Sequence, residues 1–113
     1  MGGPLAELTA AIETFVAAPP DEFADAESVV TLHRLVAQLE AGVSRSAAAF
    51  DASKEWSVEG ARSAGAWIAA VCRVPKPVAD RRVRLGRCVR QMPVTEAAWL
   101  AGDISAEHVR VLN

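Results

Sequence analysis

Apolar residues recur along the first half of the chain at alternating spacings of three and four. Leu5, Leu8, Ile12 and Phe15 form one such run, which predicts a helix with a single apolar face. Pro4 suits its first turn, and Pro19-Pro20 stop it. Asp21, Glu22 and Asp25 then place negative charge where a following helix begins, the end that its dipole favours for anions. In that second helix Val29, Leu32, Val36, Leu39, Val43 and Phe50 keep a heptad, broken only by Ser46. About three heptads correspond to a helix of roughly 38 Å. The pattern has two readings. Either the first two helices pack as a hairpin on each other and on the rest, or the 25–50 helix is a coiled-coil seam that makes a homodimer.

From Asp51 to Arg62 the periodicity lapses, with Ser53, Ser57 and Gly60 as turn signals. Trp56 is expected to plug the gap that follows the hairpin. Ser63 predicts an N-cap for a short helix over roughly 64–72, with Trp67, Ile68 and Val71 as its apolar positions. The tight turn Arg73-Val74-Pro75 leads to a helix from about Lys76 to Gln91, which Met92-Pro93 ends. Thr95 is expected to cap a short helix through Trp99 and Leu100 that closes at Gly102-Asp103. Ser105 is expected to cap a last helix still running at Asn113. The expected fold is therefore all-α, seven helical pieces without strands: a long N-terminal helical hairpin (1–52) followed by a helix-turn-helix-like bundle of short helices (60–113). The whole of 1–113 reads as a single helical domain.

The composition agrees, with 51% hydrophobic and 23% charged residues in a chain of 113, ordinary values for a globular protein. No apolar stretch reaches the roughly 20 residues of a membrane span. No secretory leader is visible either, so the cytoplasm is the expected compartment. Cys72 and Cys88 sit in apolar segments and are read as small buried hydrophobes. His33 and His108 lie far apart, and no Cys-x-x-Cys occurs, so no metal site, cofactor or catalytic residue is expected.

Charge changes the picture more. Residues 1–60 carry ten acidic and three basic side chains, whereas 61–113 carry nine basic and four acidic. Within 73–90 the cations are Arg73, Lys76, Arg81, Arg82, Arg84, Arg87 and Arg90, opposed only by Asp80. Such a split points to a polyanion-facing surface. Ile68-Ala69, Cys72, Val74, Ala79 and Val83 have the spacing of a helix-turn-helix whose second helix is this cationic one. On it Val78, Leu85, Val89 and Met92 share one face, and Lys76, Arg84, Arg87 and Arg90 the opposite one. Arg73, Lys76, Arg84, Arg87 and Arg90 are accordingly the candidate DNA-binding residues. Arg73 occupies the turn position usually given to Gly, so its backbone must avoid a left-handed conformation or accept strain. Arg81 falls in the apolar face, where pairing with Glu40 or Asp51 is one expectation.

The order Arg62-Ser63-Ala64-Gly65-Ala66-Trp67-Ile68, Val78-Ala79-Asp80-Arg81-Arg82-Val83-Arg84-Leu85, Met92-Pro93, and Leu100-Ala101-Gly102-Asp103-Ile104-Ser105-Ala106-Glu107-His108-Val109-Arg110-Val111-Leu112 resembles the actinobacterial domain of unknown function 222 family. The resemblance implies a domain that commonly precedes an HNH endonuclease domain and is often associated with mobile elements. It also implies that the chain is a fragment of a longer protein lacking the nuclease half. The segment from the turn onward is more loosely similar to the helix-turn-helix of ParB-type partition proteins, which raises the expectation of DNA binding. His108 matches the family's histidine, and a packing or capping role is expected for it. The resulting expectation is a non-catalytic module, not an enzyme by itself, with DNA as partner and neither a membrane nor a small-molecule ligand. The alternative is a dimerisation or protein-interaction module that does not bind DNA.

Overall fold

The computed structural model describes residues 2–112, and it contains six α-helices and no strand among them: α1 (Pro4–Ala17), α2 (Ala26–Ser53), α3 (Ala64–Cys72), α4 (Lys76–Val89), α5 (Pro93–Leu100) and α6 (Ala106–Leu112). Single 3₁₀ turns at Pro20–Phe23 and Glu55–Glu59 link the first three. The fold is all-α. The continuation of the last helix to Asn113 lies outside the described residues.

The chain divides into two compact units, and the boundary falls inside α2, between Leu32 and His33. It does not fall in the lapse near residues 52–60, because the second half of α2 belongs with the helices that follow it. In the first unit α1 ends at the Pro19-Pro20 pair, and Phe15 meets Phe23 with ring centroids 5.0 Å apart. These rings, with Val16, Pro20 and Leu32, line an open hollow. Asp25 starts α2: its carboxylate accepts hydrogen bonds from Ser28 N (3.0 Å) and Ser28 Oγ (2.7 Å). The hydroxyl and amide of Ser28 hold the Asp25 carboxyl below its ordinary value.

In the second unit the inward face of α2 is made of small residues. Ala37, Ala41, Ser44, Ala47 and Ala48 are buried. The middle of the apolar heptad points elsewhere, since Val36, Leu39 and Val43 are 53%, 40% and 40% exposed, whereas its last member, Phe50, packs on the core. Small residues permit close approach: a Cβ on Gly86 of α4 would collide with the Ser44 carbonyl oxygen and stand 3.1 Å from Ala48 Cβ. Around this crossing lie two cores. Ala41, Leu85, Val89, Trp99 and Val109 form one, joined by Leu100, Ile104 and Ala106. Ala47, Ala64 and Val83 form the other, joined by Phe50, Trp56 and Ile68. Burying a side chain such as Leu85 or Val89 contributes about 1.5–3 kcal/mol. Trp56 does fill the space beyond α2, and its Nε1 donates to the Asp51 carbonyl (3.1 Å).

The α5–α6 connection is tied to α2. Arg34 donates to the Ala101 carbonyl (3.2 Å) and pairs with Asp103 (3.3 Å), while Gln38 Nε2 donates to the Leu100 carbonyl (3.1 Å). These contacts satisfy carbonyls that the end of α5 leaves open. Gly102 has φ +79°, and a Cβ there would lie 2.9 Å from the Arg34 carbonyl oxygen, so both conformation and space call for glycine. Two details differ from expectation. Pro93 opens α5 as its first residue instead of merely ending α4, and Thr95 lies inside that helix. Cys72 is exposed, because it sits in the last turn of α3 beyond the packed face, and Cys88 is half-buried.

Candidate nucleic-acid interface

Ser63 begins the segment that carries the cations: its side chain accepts from Ala66 N at 3.1 Å and caps α3. At the other end of α3 the cap is Arg73, with φ 58° and ψ 46°. Of the two options open to a residue other than glycine at this turn, the chain takes the left-handed one and accepts the strain. Val74 and Pro75 complete the turn, and α4 starts at Lys76 with Pro77 in its first turn, where a missing N–H costs no helical bond. The two helices pack closely at Gly65, where a Cβ would collide with Asp80 Oδ1.

α4 buries Ala79, Val83, Leu85, Gly86 and Val89. Leu85 and Val89 were expected inside. Ala79 and Gly86 extend the buried face toward α3 and α2, and Val78 is left half-buried. Lys76, Arg84, Arg87 and Arg90 are all exposed, as is Arg73 in the turn. At 100° per residue the four on α4 and its C-cap span an arc of about 120°, so the helix presents one cationic face.

The five differ in their partners. Lys76 Nζ lies 2.8 Å from Asp80 Oδ2, one helical turn along. Arg87 Nη1 lies 3.4 Å from Asp51 Oδ2 on α2. Arg73, Arg84 and Arg90 have no ion pair among the described residues. Asp51 therefore pairs with Arg87 and not with Arg81, which is half-buried. The Lys76–Asp80 pair was legible as an i, i+4 spacing. The Arg87–Asp51 pair joins residues 36 apart, which no local pattern marks.

His108 belongs to helix capping. Its Nδ1 lies 3.0 Å from Ser105 Oγ and 3.4 Å from Ser105 N, and Ser105 Oγ accepts from His108 N at 3.4 Å. This is a capping box with histidine at the place of the usual Glu or Gln. Among the described residues no three His, Cys, Asp or Glu side chains group so as to hold a metal ion. No helix is long and apolar enough to cross a membrane.

The family described as "Domain of unknown function (DUF222)" matches residues 22–113. The chain belongs to the DUF222 family. No curated protein and no solved structure matches it. The DUF222 match takes in α2 through α6, and so includes every packing contact made by Gly65, Gly86 and Gly102 as well as the cationic face. It begins after α1.

Proposed function

We propose that this DUF222 chain is a non-catalytic DNA-binding module whose interface is the cationic face of α4, with α3 and α4 in the roles of a helix-turn-helix. The observation that carries the reading is the exposure of Arg73, Arg84 and Arg90 without an acidic partner among the described residues. Unpaired exposed guanidiniums are what phosphate contacts require. Within the second unit, Asp51 of α2 is the one acid of residues 33–60 that pairs with a cation of this face among the described residues, at Arg87. The resemblance stated above supplies the context: the module would position an HNH endonuclease domain of the same protein, which would supply the chemistry.

The test is fluorescence anisotropy of the folded chain on a labelled duplex over a range of salt. Three phosphate contacts give a log–log salt slope of about −2.7, and five give about −4.5. Absence of binding at low salt would overturn the reading. A second reading, self-association, is favoured by the exposed apolar stripe of α2, where Leu35, Val36, Leu39 and Val43 are 52%, 53%, 40% and 40% exposed. Its occupant is a second copy of the same stripe, since a heptad is matched by a helix of equal period.

A further inference from the structure

We infer that α4 holds duplex DNA by its phosphate backbone and does not read base sequence, an inference that rests on the DNA-binding reading above. In helix-turn-helix proteins the recognition helix contacts base edges with its N-terminal residues. In α4 that end is Lys76-Pro77-Val78-Ala79-Asp80. Pro77 brings no donor, Val78 is half-buried and Ala79 is buried. The two polar side chains of this turn are spent on each other, with Lys76 Nζ 2.8 Å from Asp80 Oδ2. Asp80 is in turn held against Gly65 of α3, so the carboxylate stays at the end of the helix that a groove-reading mode would insert.

The rest of the segment has the same character. From Arg73 to Arg90 there is no Asn, Gln, Ser or Thr, so no side chain can make the bidentate amide contacts that select adenine. The exposed cations near and beyond mid-helix without an ion pair among the described residues are Arg84 and Arg90, six residues or about 9 Å apart along the axis, while Arg81 and Arg82 are half-buried. Neighbouring base pairs are about 3.4 Å apart. The wider spacing of the two arginines suits contacts to separated phosphates. Arg87 between them is held toward α2 by Asp51 at 3.4 Å.

The test uses the full chain and a set of labelled duplexes of equal length and unrelated sequence, followed by selection from a randomised duplex pool. Affinities should agree within about threefold across the set, and the pool should yield no enriched sequence. Arg84→Ala and Arg90→Ala, both at exposed positions, should weaken every duplex alike and each reduce the salt slope by about 1. An enriched sequence bound about a hundredfold more tightly than its scrambled version would overturn the inference and leave DNA binding standing. So would loss on Arg84→Ala confined to some sequences. No binding to any duplex at low salt, by a chain whose helicity is intact, would overturn both readings.

Discussion

Gly86 of α4 faces the carbonyl oxygen of Ser44 on α2 so closely that no side chain fits between them. The two helices cross on backbone, and the buried alanines of α2 extend the contact to either side. Gly86→Ala must push the helices apart and is expected to cost about 1–3 kcal/mol. Gly42, on α2, meets nothing within 4 Å of a built Cβ. Gly42→Ala should instead stabilise by about 0.5–1 kcal/mol through helix propensity. Urea unfolding of the two variants should give shifts of opposite sign.

Arg73 combines a strained backbone with an exposed charge. Arg73→Gly relieves the left-handed strain, and stability should rise by up to about 1 kcal/mol. Under the proposed function the same change removes one phosphate contact and makes the salt slope shallower by about 1. Thermal unfolding and anisotropy measured on one preparation should therefore move apart, with a more stable protein binding more weakly.

Asp25 gives the start of α2 a pH dependence. Its carboxyl is held below the ordinary value of 3.8, first by the Ser28 hydroxyl and then by the Ser28 amide. A depressed carboxylate contributes stability that is present above the unfolded value and is lost as pH falls through the folded one. Helicity followed by circular dichroism should decline as pH is lowered from 4 through that range. Asp25→Ala should abolish this part of the decline while fraying the first turn of α2 at neutral pH.

Ser46 interrupts the outward heptad of α2 and is exposed. Ser46→Leu completes the stripe, and under the self-association reading it should shift sedimentation equilibrium toward the dimer. Leu39→Lys should shift it toward the monomer. Because Leu39 is 40% exposed, the lysine is tolerated by the fold, and unchanged helicity would show that assembly alone responds. A chain that stays monomeric with Ser46→Leu at high concentration would set that reading aside.

His108→Glu should preserve the capping box at the start of α6, whereas His108→Ala should cost about 0.5–1 kcal/mol. Unfolding midpoints of the two variants decide it. If alanine and glutamate behave alike, the contact with Ser105 has no energetic weight.

Much of this architecture was legible because prolines and small polar residues punctuate it. Pro4, Pro19-Pro20, Ser63 and Ser105 each mark a helix boundary that the structure shows. The inward face of α2 was not legible. Ala37, Ala41, Ser44 and Ala48 contrast weakly in hydropathy with their neighbours, while the larger heptad residues dominate the periodicity and point the other way. Pro93 was ambiguous for a related reason, since proline both ends one helix and suits the first turn of the next. Among the candidate site residues, exposure followed from helical phase, but the partner of Arg87 did not. Asp51 reaches it only because α2 and α4 cross at Gly86.

The two-sidedness of α2 also sets how the protein should respond to its solvent. Its small-residue face is sealed within the fold, while its large-residue face is open to water. Excluded salts such as ammonium sulfate strengthen apolar contact, and any added electrolyte weakens contacts between arginine and a polyanion. Under the two proposed readings, raising sulfate should therefore favour self-contact along α2 and disfavour phosphate contact along α4. On those readings the ionic medium, with no change of sequence, is the dial between them.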